Sequence, residues 1–480
     1  MKDFIAIGLG PFNLGLACLT DPIDELDGLF LEARPEFTWH PGMLLEDATL
    51  QVPFLADLVT MADPTSGFSF LNHLKETGRL YPFYIRESFF PLRQEYSDYC
   101  RWAASLLDSV RFDSPVACVE HDGSAYVVTT GSGEQHRAKR LVLGTGTQPY
   151  VPEVARGVLG LDTDLVPRPY STTENKTDLV PRPYSTTENK TDLVPRPYST
   201  TENKTDLVPR PYSTTERVTC HSADYLQRRA ELQELESITV VGSGQSAAEV
   251  YADLLSGIDE HGYTLTWVTR SPRFFPMEYT KLTLELTSPE YTSYFQTLPG
   301  GTRDALLREQ RSLYKGISGD LVNQIYDELY RRQVLGGTET TLITNTAVTG
   351  ASTLTDGVRL DLHHVEQDEA FSLDTQGVVF ATGYTREVPG FLSPIRDRIT
   401  WDDRGRFVAD ENYAIDLHGT EIFVQNAEEH THGFVAPDLG MGAYRNSVLI
   451  AAMLGREAYP VEKRIAFQEF GIPDHLRSAP

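Results

Sequence analysis

A glycine motif near the N-terminus has the residue types and spacing that hold a dinucleotide. It lies in FIAIGLGPFN, residues 4–13, and reads Gly8-x-Gly10-Pro11-x-Asn13. The first glycine permits a tight turn, and the second lets the backbone approach a pyrophosphate at the N-terminus of a helix. Asn13 replaces the usual third glycine. Glu32 follows at the distance where an acidic side chain accepts hydrogen bonds from a ribose.

A second motif of the same kind lies in ITVVGSGQSAAEV, residues 238–250, and reads Gly242-x-Gly244-x-x-Ala247. After the next strand pattern, LTWVTR, the chain places Arg270 where the first site has a carboxylate. An arginine can pair bidentately with a 2′-phosphate, whereas a carboxylate would repel it. The second site is therefore predicted to prefer NADPH to NADH.

Two dinucleotide sites in one chain indicate a flavoenzyme, in which one site holds FAD and the other delivers hydride to it. Two further strand-to-glycine turns are predicted to lie at these sites: VLGTGTQP, and FATGY with Thr382 and Gly383. Reduced flavin passes electrons either to a disulfide or to oxygen. The four cysteines lie far apart in the sequence and form no paired dithiol, so a reaction with O₂ is favoured.

Alternating strand and helix patterns must position these motifs. Strand patterns precede both glycine motifs. They recur in GLFLEARPEF, ending at Glu32, and at 140–150, 265–270 and 377–384. Apolar residues at helical spacing are found at 97–107 and 303–334. Such alternation predicts an α/β protein with parallel, doubly wound sheets. We expect two Rossmann-like dinucleotide-binding domains and a smaller, partly helical substrate region.

The order of these patterns predicts the domain boundaries. Residues 1–160 and 376–460 are assigned to a discontinuous FAD-binding domain, and 217–375 to an NADPH-binding domain with a helical substrate segment at 277–335. Between them, residues 161–216 contain four copies of a 14-residue unit, whose later copies read NKTDLVPRPYSTTE. Its prolines disfavour helix and central strand, so a looped or disordered insert is predicted.

Composition excludes several classes of function. A formal net charge of −26 argues against binding nucleic acid and is compatible with steering a cationic small molecule. No apolar run is long enough for a membrane helix, and the first residues are interpreted as a strand and turn rather than a signal peptide. Sparse cysteines favour a cytoplasmic protein. No cluster of histidines and cysteines indicates a metal site.

Several longer motifs resemble a known family, the flavin-dependent N-hydroxylating monooxygenases of siderophore biosynthesis, which include the lysine and ornithine N-hydroxylases. They are FTWHPGMLLEDATLQVPFLADLVTMADPTSGFSFLNHLKETGRLY, PLRQEYSDYCRWAA, SPEYTSYF, GISGDLVNQIYDELY and EHTHGFVAPDLGMGAYRN. The resemblance spans nearly the whole chain outside the insert. It implies FAD and NADPH domains, a C4a-hydroperoxyflavin that oxygenates a primary amine, and a homo-oligomer, either a dimer or a tetramer.

The resemblance also implies roles for particular residues. Gln51 would lie beside the isoalloxazine ring of the flavin, and Gln245 and Ser246 would lie near the nicotinamide. The remaining expected cofactor contacts are Trp39 and His40, with Pro41 and Met43, at the adenine-side wall, and His432, with His430 and Thr431, in a segment facing the flavin. The two histidines at i and i+2 complete no metal ligand set.

The stretch FLADLV departs from the family pattern in one position. Family members commonly have a lysine that pairs with the substrate α-carboxylate where this chain has Ala56. A buried carboxylate without a partner is costly, so the change favours a diamine such as cadaverine or putrescine. Three alternatives stay open: another cation, Lys281 or Lys315, replaces the missing lysine; the enzyme is an L-lysine N6-hydroxylase; or the chain is a non-catalytic flavoprotein whose repeat binds a partner.

Overall fold

The computed structural model describes residues 1–161 and 217–476. Its strands are β1 (Lys2–Ile7), β2 (Gly28–Leu31), β3 (Val110–Arg111), β4 (Val116–His121), β5 (Tyr126–Thr130), β6 (Gln135–Leu143), β7 (Gln148–Pro149), β8 (Val218–His221), β9 (Ser237–Val241), β10 (Thr264–Val268), β11 (Thr340–Ile343), β12 (Thr346–Leu354), β13 (Gly357–His364), β14 (Glu369–Thr375), β15 (Gly377–Phe380), β16 (Tyr384–Thr385) and β17 (Ile422–Val424). Its α-helices are α1 (Pro11–Thr20), α2 (Phe70–Glu76), α3 (Leu80–Ile85), α4 (Arg93–Ser105), α5 (Glu153–Arg156), α6 (Tyr225–Gln233), α7 (Gln245–His261), α8 (Lys281–Leu284), α9 (Pro289–Thr297), α10 (Gly300–Glu309), α11 (Gly319–Leu335), α12 (Glu429–His432) and α13 (Gly442–Leu454).

The first sheet surrounds β1, whose apolar residues Phe4, Ile5 and Ala6 are fully buried. Strands β3, β2, β1 and β6 run parallel in that order, and β17 continues the parallel part beside the carboxyl half of β6. The pair β4–β5 joins the other half of β6 in antiparallel register. Helices cover both faces of parallel sheets, which is why β1 is apolar without alternation.

The second sheet is parallel throughout, with strand order β11-β10-β9-β15-β8. Helix α7 follows β9 and packs on the sheet, where Tyr251 stacks on Trp267 at a ring-centroid distance of 4.8 Å. A separate antiparallel sheet, β12-β13-β14, follows β11. The predicted α/β class with two Rossmann-like units is confirmed.

The prediction of parallel sheets was incomplete, because β4–β5 and β12–β14 are antiparallel. Along β13, Val358, Leu360 and Leu362 are buried while the residues between them are exposed. This alternation is typical of an antiparallel strand with one face on the core. The boundary at residue 376 also differs, since β15 pairs with β8 and β9 and therefore belongs to the second sheet.

The helical predictions hold with shifted ends. The helix expected at 97–107 is α4, which begins four residues earlier at Arg93. The helical pattern at 303–334 forms α10 and α11, separated by a 3₁₀ turn and an extended segment at Gly316. A Cβ at Gly316 would lie 2.5 Å from Met277 N, so the backbone of a neighbouring segment occupies that space.

The repeat insert lies outside the described residues apart from Leu161. On either side of it, Thr219 Oγ1 donates a hydrogen bond to the carbonyl O of Val158 at 2.8 Å. The chain therefore leaves and re-enters the described structure at neighbouring points. In residues 1–161 and 217–476, no helix has both the length and the apolar character needed to cross a membrane.

The two units meet where the segment around Gly42 packs against the chain after β8. A Cβ on Gly42 would lie 1.8 Å from the carbonyl O of Ala223 and 2.3 Å from its carbonyl carbon. A heavy-atom approach of this kind leaves no room for a side chain. Gly42 is therefore a close backbone contact between the unit that contains β1 and the unit that contains β9.

We expect Gly42→Ala to destabilise the protein by about 1–3 kcal/mol, because the new methyl group forces a backbone shift at this contact. The matched control is Gly67→Ala, an exposed position where a Cβ would meet no described atom within 4 Å. Urea denaturation of both variants measures the effect. Equal denaturation midpoints for the two variants would contradict the close contact.

Candidate active site

The first glycine motif forms the turn between β1 and α1. Gly8 has φ +88°, and a Cβ there would lie 2.5 Å from the carbonyl O of Gly144, at the end of the neighbouring strand β6. At Gly10 a Cβ would meet nothing within 4 Å in the described part of the chain, so space is open before the first turn of α1. Pro11 begins that helix. Backbone amides around an open helix N-terminus fit the diphosphate of FAD.

Glu32 lies one residue beyond the end of β2 and beside this turn. Its Oε2 accepts a hydrogen bond from Leu9 N at 2.7 Å, and its Oε1 accepts one from Arg34 N at 3.0 Å. These two bonds fix the carboxylate next to the glycine motif. Each oxygen keeps a further lone pair, so Glu32 can still accept hydrogen bonds from ribose hydroxyls.

Asn13 is buried and its side chain is used within the protein. Its Nδ2 donates to the carbonyl O of Gly8 at 2.7 Å, and its Oδ1 accepts from Gln425 Nε2 at 2.7 Å. The amide also fills the space beside Gly144, where a Cβ would lie 2.4 Å from Nδ2. Asn13 therefore ties the glycine turn to the ends of β6 and β17, and a direct cofactor contact by its side chain stays a prediction.

Trp39 and His40 form a half-buried wall of rings with residues of other segments. The centroid of the Trp39 ring lies 5.2 Å from that of Tyr96, and the centroid of the His40 ring lies 5.4 Å from that of Tyr384. Burial, aided by the charges of two nearby arginines, lowers the pKa of His40 to about 4. The imidazole is therefore neutral at pH 7 and packs as an aromatic ring.

The second glycine motif joins β9 to α7. A Cβ on Gly242 would lie 2.3 Å from the carbonyl O of Ala381, which follows β15, so this turn also packs against a neighbouring strand end. Gly244 precedes the first turn of the helix, and Ala247 is fully buried beneath it. Ser246 is half-buried in that first turn. The arrangement repeats that of the first motif and fits a second dinucleotide.

Arg270 lies two residues beyond the end of β10, at the same edge of the sheet as Gly242. Its side chain is exposed, and within residues 1–161 and 217–476 its guanidinium makes neither an ion pair nor a hydrogen bond. Arg273 is exposed in the same turn. A guanidinium without a protein partner at this edge is suited to a 2′-phosphate.

The structure brings Gln51 and Gln245 together, although 194 residues separate them in the sequence. Gln51 Nε2 donates to Gln245 Oε1 at 3.1 Å, and Ser318 N donates to the same oxygen at 2.7 Å. The Gln51 side chain reaches from the first unit and Gln245 begins α7 of the second. The two amides therefore face each other between the two glycine motifs.

Two charged residues that sequence reasoning missed continue this contact. Gln245 Nε2 donates to Glu249 Oε1 at 2.8 Å, and Arg93 donates to both oxygens of Glu249 at 2.7 and 2.9 Å. A signal was present, because Glu249 stands on the otherwise apolar face of α7, one turn after Gln245. Its partner, 156 residues away, could not be read from the sequence.

Thr382 and Gly383 follow β15 and connect the second sheet to the first. The hydroxyl of Thr382 donates to the carbonyl O of Tyr150, and Tyr150 N donates to the carbonyl O of Gly383 at 2.8 Å. Gly383 has φ +87°, and His221 Nε2 lies 3.1 Å from its carbonyl O. These residues build the two-stranded junction β7–β16, and their contact with cofactor stays a prediction.

His432 is fully buried, and protein groups engage both of its ring nitrogens. Gln296 Nε2 donates to its Nε2 at 2.7 Å, which places the ring proton on Nδ1, 2.9 Å from Thr431 Oγ1. The ring stacks on Tyr413 at 4.3 Å. Burial, with the charge of Arg445, lowers the pKa of His432 to about 3. His432 therefore shapes the C-terminal segment as a neutral ring.

Ala56 is buried against the chain that leads into α13. A Cβ on Gly440 would lie 3.9 Å from the Cβ of Ala56. Gly440 N donates to Asp438 Oδ1 at 2.7 Å, and in the described part of the chain Oδ2 of Asp438 accepts no hydrogen bond. Desolvation raises the pKa of Asp438, and the charge of Asp438 contributes to raising the pKa of Tyr279. Ala56 and the desolvated carboxylate of Asp438 therefore both lie against Gly440.

The two lysines proposed as replacements have different surroundings. Lys281 begins α8, with an exposed side chain that makes no ion pair in residues 1–161 and 217–476. Lys315 has its Nζ 5.2 Å from the ring centroid of Tyr314. Desolvation lowers the pKa of Lys315 while the neighbouring Glu429 acts in the opposite direction.

Comparison with known proteins agrees with this arrangement. The family model of L-lysine 6-monooxygenase/L-ornithine 5-monooxygenase matches residues 1–178 and 186–386. A putrescine N-hydroxylase of Shewanella oneidensis is 44% identical over 98% of this chain and 84% of its own length. The FAD-bound cadaverine monooxygenase DfoA of Erwinia amylovora is 46% identical, with a TM-score of 0.84 over 98% of this chain and 99% of that one. The L-lysine N6-monooxygenase of Escherichia coli is 31% identical over 95% of both chains. The resemblance inferred from sequence motifs is confirmed, and the chain belongs to the L-lysine 6-monooxygenase/L-ornithine 5-monooxygenase family.

Proposed function

We propose that this flavin-dependent N-monooxygenase hydroxylates one terminal amine of an aliphatic diamine, for the assembly of a hydroxamate siderophore. Cadaverine is the favoured substrate and its shorter homologue putrescine the second choice. The reaction uses FAD, NADPH and O₂. The observation that carries the substrate assignment is that Ala56 and the carboxylate of Asp438 both lie against Gly440.

The relatives support the substrate class independently. Two proteins more than 40% identical to this chain are named for diamines, putrescine in one case and cadaverine in the other. The relative named for L-lysine is only 31% identical. A diamine is therefore a better supported substrate than an amino acid.

The charges around Ala56 suit an ammonium group. A methyl side chain offers nothing to a substrate carboxylate, and the neighbouring Asp438 would repel one. Desolvation disfavours the ionised form of this aspartate, and an ammonium beside it would restore that form. We therefore assign the distal ammonium of the diamine to the free Oδ2 of Asp438.

Other carboxylates near this region already have partners. Asp57 follows Ala56 directly, but its two oxygens accept hydrogen bonds from the backbone amides of Val59, Thr60 and Phe70 and from the Thr60 hydroxyl. Glu429 accepts the Tyr314 hydroxyl on one oxygen and pairs with Arg386 through the other. In contrast to Asp57 and Glu429, Asp438 has an oxygen without a hydrogen-bond partner in the described part of the chain.

Bound FAD would supply the electron transfer and the reaction with oxygen. The chain binds and orients: the Gly10 turn holds a diphosphate, Glu32 a ribose, Arg270 a 2′-phosphate, and the amides of Gln51 and Gln245 lie between the two sites. The reacting amine must be neutral, although a free aliphatic amine has a pKa near ~10.4 by analogy with lysine. Buried His40 and His432, with pKa values lowered to about 4 and about 3, are uncharged at pH 7.

L-lysine remains the alternative substrate, with Lys315 or Lys281 binding its carboxylate. A non-catalytic flavoprotein with a partner-binding repeat is a further alternative. Deletion of residues 161–216 distinguishes it from an enzyme, because an enzyme would retain turnover without the repeat.

We also propose a cytoplasmic dimer or tetramer. Exposed Tyr326, Tyr330 and Val334 along one side of α11 support self-association, which sedimentation equilibrium measures.

Purified, FAD-loaded protein should oxidise NADPH faster with cadaverine than with L-lysine, because L-lysine would bring a carboxylate toward Asp438 as well as an ammonium, and the two carboxylates repel each other. Mass spectrometry should find one added oxygen on a terminal nitrogen of the diamine. Putrescine and L-ornithine complete the substrate panel. Equal rates with cadaverine and L-lysine, or a faster rate with L-lysine, would establish the alternative instead.

Asp438→Asn should raise the KM for cadaverine by roughly tenfold or more, since a tenfold change corresponds to 1.4 kcal/mol of lost charge pairing. The amide oxygen retains the acceptor for Gly440 N, so the local turn is preserved. Pentylamine, which lacks the second ammonium, is the control and should keep its KM. Ala56→Lys should mimic the effect by offering Asp438 an internal cation. An unchanged KM for cadaverine in Asp438→Asn would exclude this role.

Arg270→Ala should raise the KM for NADPH about tenfold and leave the KM for NADH unchanged, because only NADPH carries the phosphate that the guanidinium would pair with. Steady-state rates with each nucleotide measure the preference. A parallel rise for both nucleotides would indicate that Arg270 serves the fold rather than the phosphate.

A further inference from the structure

We propose that Arg93 and Glu249 are positioning residues for hydride transfer, which hold the Gln51–Gln245 amide pair in one orientation between the two dinucleotide sites. Neither residue is among those expected to touch a cofactor. The inference concerns flavin reduction by NADPH and rests on that part of the proposed function only. It is independent of which amine is hydroxylated.

The ion pair has the geometry of a rigid contact. One terminal nitrogen of Arg93 donates to Glu249 Oε1 at 2.7 Å and the other to Oε2 at 2.9 Å. The second nitrogen also donates to the carbonyl O of Met43 at 2.9 Å. The side chains are only 12% and 6% exposed, so solvent screens the pair weakly. A bidentate guanidinium–carboxylate pair fixes both distance and direction.

The pair spans the boundary between the two units. Arg93 begins α4, which packs in the core of the first unit, while Glu249 lies on α7 of the second unit. The carbonyl group of Met43 is adjacent to Gly42, whose backbone contacts Ala223 of the second unit. Arg93 therefore sets the separation of the units close to their glycine motifs.

Glu249 also determines how the Gln245 amide is oriented. A carboxylate only accepts hydrogen bonds, so the amide must turn its NH₂ group toward Glu249 Oε1, at 2.8 Å. Its carbonyl O then faces the other way and accepts from Gln51 Nε2 and Ser318 N. If the carboxylate became an amide, the backbone N–H of Ser318, which can only donate, would still favour this orientation, but the charged acceptor on the other side of the Gln245 amide would be lost. Glu249 and Ser318 thus act together to select a single arrangement of three segments.

The consequence for hydride transfer is geometric. Gln245 is the first residue of α7, directly after the motif that would hold NADPH, and Gln51 comes from the unit that would hold FAD. A hydride moves only when donor and acceptor atoms are closely aligned, and small displacements reduce rates steeply. Loss of the ion pair should therefore slow reduction without abolishing binding of either nucleotide.

The decisive variant is Glu249→Gln, which keeps the shape of the side chain and removes its charge. Anaerobic stopped-flow with NADPH and no amine should record flavin reduction at least tenfold slower than in the unmodified protein. Calorimetry should find the Kd for NADP⁺ within about twofold. The change that NADP⁺ produces in the flavin absorption spectrum, a measure of nicotinamide contact that requires no turnover, should be diminished.

The matched control is Asp374→Asn, which breaks an exposed bidentate pair with Arg359 inside the second unit, with both distances 2.7 Å. It should leave rate and spectrum unchanged. Arg93→Lys keeps the positive charge but loses the bidentate contact, and should give an intermediate rate of flavin reduction. It replaces Glu249→Gln as the test if Glu249→Gln does not bind FAD. Full-rate reduction in Glu249→Gln or, in that event, in Arg93→Lys would overturn the proposal, as would an equal loss in the control. Failure of the unmodified protein to take up FAD would instead refute the proposed function.

Discussion

The structure depends on one constraint: two sheets must present the carboxyl ends of their parallel strands to each other. Each glycine motif lies at such an edge, since parallel strands leave a crevice there. Neither edge can act alone, because one would hold the flavin and the other the nicotinamide. The contacts that join the units, Gly42 on Ala223 and Arg93 on Glu249, therefore matter as much to the arrangement as either sheet.

The features that follow from local rules could be predicted from the sequence. The spacing of glycines after an apolar run identified both turns. The predicted strand end at Glu32 differs by only one residue from the end of β2 at Leu31, because the distance from the turn to the end of the next strand varies little. Gln51 and Gln245 were selected by resemblance, and the structure places them 3.1 Å apart. The fold class was predicted from the strand and helix patterns for the same reason. The number of faces that an element buries sets the spacing of its apolar residues.

The features that depend on distant contacts could not be predicted. Asn13 is part of the predicted dinucleotide motif, but its burial against Gly144 and Gln425 is visible only once β6 and β17 are side by side. The return of the chain to the first unit was placed at 376, because nothing in the sequence says which sheet β15 joins. Asp438, to which we assign the distal ammonium, lies 382 positions after Ala56 in the sequence, so their common contact with Gly440 could not be read from the sequence.

The hydrogen bond between Thr219 and Val158 has a practical consequence for protein engineering. Because it holds the two flanking segments together, a foreign domain whose own termini are close could be fused between them without pulling either sheet apart. The site lies at β8, the edge strand of the second sheet, whereas the second glycine motif follows the inner strand β9. A fluorescent reporter placed there would label the enzyme while leaving its nucleotide crevices free.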